Sequence, residues 1–198
     1  MFIVLVVAVV VAATAIAGEQ TTVPGPVPEV ENPYFPLAVG NSWTYRCSVE
    51  GRHQFDKTLR LTATIINDNV RYFRAELQIK RDPRPLVYYL MADREGNVFR
   101  SPKPNNEERE LLITTAPKVG DRLGDRKVAA IERMSVPARA QVDALRVENF
   151  SLEDPKLPAE KRAEWQAHFY ARGIGQVAEA DGLGGECALS KFHLVKPR

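Results

Sequence analysis

The sequence predicts a mainly β protein, an antiparallel curved sheet or half-barrel of about ten strands with at most one or two short helices. Three observations carry this: strict two-residue alternation of apolar and polar side chains, turn-forming residues between the alternating runs, and one polar face on most strands. A sheet covered on one side fits that pattern better than a parallel sheet buried on both faces.

In Ser42 to Glu50, Trp43, Tyr45, Cys47 and Val49 share one face, opposite Ser42, Thr44, Arg46 and Ser48. Thr58 to Ile66 repeats this, with Leu59, Leu61, Ala63 and Ile65 inward, and Asn67-Asp68-Asn69 turns the chain. Phe73, Ala75, Leu77 and Ile79 then face inward in the return strand of a hairpin. Two short strands flank Asp93-Arg94-Glu95-Gly96, and Ser101 to Glu110 is a polar loop with two prolines. Further strands are expected at Leu111–Thr114, Lys127–Met134, Val142–Asn149, Gln166–Arg172, Gly175–Ala180 and Glu186–Val195. Only Asp154 to Trp165 suits a short helix, with Pro158 in its first turn.

A two-fold internal repeat is a candidate feature. Val39-Gly40-Asn41 has a counterpart in Val119-Gly120-Asp121, each followed two residues on by Trp43 or Leu123. Gly96-Asn97-Val98 matches Gly175-Gln176-Val177 at nearly the same offset, behind the aromatic pairs Tyr88-Tyr89 and Phe169-Tyr170. Common turn residues could also produce such matches.

The first 17 residues carry no charged side chain and end Ala15-Ile16-Ala17, as a signal peptide with a small-x-small cleavage site does. Residues 18–33 form a proline-rich tether or disordered N-terminus, and residues 34–198 a single β domain. The run is short for a membrane span, so membrane attachment is expected only if it stays uncleaved. The expected location is periplasmic or extracellular. The formal net charge of +2 is spread along the chain, which leaves no basic stripe for nucleic acid.

Cys47 and Cys187 are the two cysteines. In an exported chain a disulfide is expected, the alternative being two buried thiols.

No motif for catalysis, metal or cofactor is present: HExxH, CxxC and GxSxG are missing, and His53, His168 and His193 lie in separate elements. The glycine-rich Asp181–Glu186 lacks the residues of a phosphate loop and reads as a hairpin turn. Asp93 with Glu95 and Asp121 with Asp125 are turn residues rather than an acid–base pair. Alternation puts His168, Tyr170 and Arg172 on one strand face, where they could recognise an anion, or simply form a solvated face opposite Ala167, Phe169 and Ala171. Trp43, Tyr45, Phe73, Tyr89, Phe99, Phe169 and Phe192 are expected on the concave side, as the lining of an apolar cavity or as ordinary core.

Four stretches in order, "YFPLAVGNSWTYR", "YYLMADREGNVFR", "APKVGDR" leading into "VPARAQVDALRVENF", and "FYARGIGQVAEADG", carry a resemblance. They resemble a broad set of bacterial exported proteins and lipoproteins with FPL-x-VGN-x-W-x-Y, PLKVGD-x-W, VPAGTF-x-A-x-x-V and WYA-x-GIG-x-V. The resemblance spans nearly all of residues 33 to 195. It implies a β-rich extracytoplasmic domain akin to the half-barrels of periplasmic lipoprotein and lipid carriers, and it supplies no catalytic residues. The chain departs from the pattern at Leu123, where Trp is usual, and at Arg139-Ala140-Gln141-Val142, where a Gly-Thr-Phe turn is usual. It also lacks the lipid-accepting cysteine.

The expected function is therefore a non-enzymatic binding or scaffold domain at the cell envelope, without cofactor, whose partner is an envelope protein or an apolar small ligand. A periplasmic carrier of a lipid or acylated ligand is the alternative, and a hydrolase built on His168 a third.

Overall fold

The computed structural model describes residues 31–80, 82–105, 107–150 and 164–195. The signal segment, most of the tether and most of the expected helix at Asp154–Trp165 lie outside the described residues. Twelve strands form one antiparallel sheet: β1 (Ser42–Val49), β2 (Arg52–Asn67), β3 (Val70–Ile79), β4 (Leu86–Ala92), β5 (Val98–Ser101), β6 (Glu110–Ile113), β7 (Arg122–Leu123), β8 (Arg126–Val136), β9 (Arg139–Glu148), β10 (Gln166–Ala171), β11 (Gly175–Asp181) and β12 (Gly185–His193). No helix occurs among the described residues.

The sheet order is β6-β5-β4-β3-β2-β1-β12-β11-β10-β9-β8-β7, so the chain starts mid-sheet, meanders to one edge, and resumes at the other. That jump forces curvature. Ile113 and Arg122 are joined by a connection that reaches at most about 30 Å, whereas twelve strands laid flat span roughly 50 Å. The sheet therefore curls until β6 and β7 approach each other, giving a nearly closed barrel. Side chains bridge the seam: Arg126 on β8 donates from Nη2 to the Leu111 carbonyl on β6 at 2.5 Å and pairs with Glu110 at 2.9 Å.

The expected alternation holds in β1, where Trp43, Tyr45 and Cys47 are buried in the core. β2 begins at Arg52, six residues earlier than its apolar alternation indicates, because its polar first half pairs with β1 as far as Val49. The halves β1–β6 and β7–β12 occupy equivalent positions along the sheet, and the two Gly-Asn/Asp turns are built alike. Gly40 and Gly120 both have φ of +98°, in the left-handed region that glycine reaches without strain. Gly40 N–H donates to Leu61 and Leu61 N–H to Asn41; Gly120 donates to Val128 and Val128 to Asp121. Trp43 and Leu123 follow as equally buried side chains. The second match also falls on equivalent elements, the turn into β5 and the start of β11.

One end of the barrel is stoppered by the segment before β1. The Asn32 side chain donates to the Gly96 carbonyl at 2.7 Å, and Gly173 N–H donates to Pro33 at 2.6 Å. This pins Phe35 against Trp43 and Tyr170, with ring centroids 5.6 and 6.2 Å apart. Cys47 and Cys187 face each other directly across the β1–β12 pair and are disulfide-bonded, which joins the two halves covalently.

Candidate functional site

The barrel interior is apolar around Trp43, Leu61, Val98 and Leu189, but not throughout. Three strand segments pair a charged residue with an apolar one on the inward face: Val98 with Arg100, Glu110 with Leu112, and Arg126 with Val128. Around them lies a cavity of about 40 Å³ lined by Arg100, Glu110, Arg126, His168, Tyr170 and Gln176 on its polar side, and by Phe35, Leu59, Tyr88, Leu90 and Leu112 otherwise.

Arg126 is the buried end of this site, its side chain 6% exposed; Arg100 and Glu110, at 48% and 38%, form the outer rim. Glu110 lies between the two arginines. Its Oε2 accepts from Arg100 Nε at 3.0 Å and Nη2 at 2.5 Å, and its Oε1 faces Arg126 Nη2 at 2.9 Å. Tyr170 and Arg126 both line the cavity, and the Arg100 guanidinium lies 5.9 Å from the centre of the Tyr88 ring. Behind the cavity, Lys57 pairs with Glu179, whose other oxygen accepts from Gln176 Nε2 at 3.0 Å. Two buried nitrogens of the lining have no hydrogen-bond partner among the described residues: Arg126 Nε and His168 Nδ1.

Burial dominates the proton affinities here. It pushes Tyr45 well above the usual phenol range, raises Tyr88, and takes Tyr170 up to about 12, so all three stay neutral donors. His168 is lowered to about 4, first by burial; Glu179 and Glu110 oppose the shift, while Arg126 and Arg100 reinforce it. At neutral pH the lining carries two guanidinium charges, one carboxylate and a neutral imidazole, a surplus of one positive charge.

A stability consequence follows. An unfolded His168 takes up its proton near pH 6.5, a folded one only near 4, so its contribution is complete above 6.5 and lost as pH falls towards 4. Urea unfolding of the wild type should lose about 2 to 3 kcal/mol more between pH 7 and pH 4.5 than His168→Gln does. Parallel pH profiles for the two proteins would show that the imidazole is not desolvated.

The structure sorts the residues singled out in the sequence. His168 and Tyr170 point into the barrel, not onto a solvated face, because Val147 and Leu145, their partners on β9, are themselves buried. Arg172 is separated from them: β10 ends at Ala171, and Arg172 is an exposed turn residue. Trp43 and Tyr45 are buried and fix the β11 turn, Trp43 Nε1 donating to Ile174 at 2.6 Å and Tyr45 Oη to Gln176 at 3.0 Å. Tyr89 alternates with lining residues and so faces outward, contrary to its expected place on the concave side; Phe99, opposite Met91, does the same, whereas Phe169 is partly buried against the core without lining the cavity. Arg100, Glu110 and Arg126, the charged core of the site, were not anticipated. Their signal was a charge sharing a strand face with Val98, Leu112 or Val128. Among the described residues no group of three or more His, Cys, Asp or Glu is placed to hold a metal ion, and no helix is long and apolar enough to cross a membrane.

The fold and pocket define an antiparallel meander barrel with a polar interior site, and this architecture has solved counterparts. A Bacteroides fragilis protein assigned as exported and of YMCC-like fold superposes with a TM-score of 0.55 at 14% identity, covering 81% of this chain and 99% of its own. A Parabacteroides distasonis protein assigned as a lipoprotein gives 0.56 at 12% identity, covering 83% and 100%. At such identities the likeness is one of fold. No protein-family profile matches the chain, and no curated protein matches it in sequence.

Proposed function

We propose that the protein is an exported, non-enzymatic binding domain of the bacterial cell envelope that takes the polar end of a small ligand into its barrel. The observation that carries this is the pair of buried, unpartnered nitrogens, Arg126 Nε and His168 Nδ1, both in residues that line the cavity. A buried polar atom without a partner costs roughly 1 to 3 kcal/mol, a cost that a ligand atom bonded there would offset. Support for export comes from the uncharged Met1–Ala17 run, from a disulfide joining β1 to β12, and from the exported and lipoprotein assignments of the two fold relatives.

Binding is favoured over hydrolysis because the lining contains no serine, threonine or cysteine, and His168 holds its proton too weakly to serve as an efficient base at neutral pH. The cavity, about 40 Å³ against the 300 Å³ or more of ordinary ligand pockets, argues for a head group rather than a whole acyl chain. The test is a thermal-shift screen of the secreted, disulfide-bonded protein against small polar metabolites, with the His168 imidazole nitrogens followed by NMR. Hits that raise the melting temperature and move those resonances are expected. No hit of any charge class, or turnover of a hit that His168→Ala abolishes, would overturn the reading.

A further inference from the structure

We infer that the head group is a carboxylate, and that Glu110 is its resident competitor. The ligand's carboxylate takes the place between Arg100 and Arg126 that Glu110 now fills, entering along the β6–β7 seam. This deepens the binding role proposed above and rests on it.

The charge count favours a like-for-like exchange. Two guanidiniums already hold one carboxylate, that of Glu110, so an entering carboxylate that displaces it leaves the charge of the site unchanged. If Glu110 swings out, two arginines remain to hold one carboxylate in the way that Glu110 is held, one guanidinium to each oxygen. The lining offers donors to an acceptor-only group. Arg126 Nε carries a hydrogen with no acceptor, and the phenols of Tyr170 and Tyr88 are held protonated at neutral pH.

Volume points the same way. A water needs roughly 10 to 15 Å³ of such space, so a cavity of about 40 Å³ takes about three or four atoms of water size, which accommodates CO₂⁻ and excludes a long chain. The remainder of the ligand must then lie outside. The exposure gradient, from buried Arg126 to half-exposed Arg100 and Glu110, places the exit at β5–β6. There the adjoining seam is bridged by Arg126 rather than by a ladder of strand hydrogen bonds.

The experiment is calorimetric titration of the full secreted protein with acetate, butyrate, acetamide and inorganic phosphate, on wild type, Glu110→Gln and Arg126→Gln. NMR of the His168 ring locates the binding. Expected are carboxylate binding that perturbs His168, no binding of acetamide, a gain of about tenfold in carboxylate affinity in Glu110→Gln, and loss of binding in Arg126→Gln. Should Arg126→Gln not fold, Glu110→Gln alone decides, because competition predicts a gain where a structural or ligand-contacting Glu110 predicts a loss. Acetamide binding at His168 without carboxylate binding would sink the carboxylate assignment and leave a binding site standing. Phosphate binding tighter than acetate would also overturn it. Silence from every probe and from the wider screen would remove both.

Discussion

Reduction of the Cys47–Cys187 bond should lower the unfolding free energy by about 4 to 5 kcal/mol, as the chain-entropy relation gives for a loop of 140 residues. Small domains hold only about 5 to 15 kcal/mol in total, so this is a large share of what keeps the barrel folded. The location adds to the effect. β1 and β12 are where the first and second halves of the meander meet, and the other meeting of the halves, β6 with β7, has no ladder to hold it. Without the disulfide, the β1–β12 register rests on its backbone bonds and on the Ser190 hydroxyl donating to the Thr44 carbonyl at 3.0 Å. Urea unfolding with and without reductant, and of the Cys47→Ser/Cys187→Ser double variant, should agree, with a melting temperature lower by roughly 10 to 20 °C. Unfolding insensitive to reductant, or two titratable thiols in exported protein, would contradict it.

The strands were legible because most keep period two, and period two survives any degree of curvature. Closure was not, since it depends on β6 and β7 meeting across the whole width of the sheet, a contact that no local pattern encodes. The same limit hid the site. Arg100, Glu110 and Arg126 come from three strands, and only the curled sheet brings them together. On β10 apolarity does not pick out the pocket face: Ala167 and Ala171 are buried and Phe169 is partly buried, yet the row that lines the pocket is His168 and Tyr170. Apolarity identifies the inward face only where the interior is wholly apolar, and here part of it is a polar pocket. The Gly-Asn/Asp echo, by contrast, was readable, because a left-handed glycine and its bonded neighbour form a local device whose geometry repeats at φ +98° in both halves.

Replacing Trp43 by alanine should cost about 3 to 5 kcal/mol, the usual range for deleting a large buried aromatic. Its side chain is 1% exposed, packs on Phe35, and donates from Nε1 to the Ile174 carbonyl at 2.6 Å. Gly175 makes room for it: a Cβ there would come within 3.1 Å of Nε1, and its φ of +107° suits glycine. Trp43→Phe separates the two contributions. It keeps most of the apolar contact but leaves a buried carbonyl without its donor, at about 1 to 3 kcal/mol. The alanine variant should also reach the pocket, because Phe35 leans on Trp43 at one side and on Tyr170 at the other and is itself part of the lining. With the indole gone, Phe35 can settle into the space left behind, and the wall beside Tyr170 and His168 loosens. His168 then becomes better hydrated, and its pKa should rise from about 4 towards its usual value in Trp43→Ala but stay near 4 in Trp43→Phe. Histidine NMR titration of both variants measures this. An unchanged titration in Trp43→Ala would mean that the plug at the end of the barrel and the polar pocket are mechanically independent.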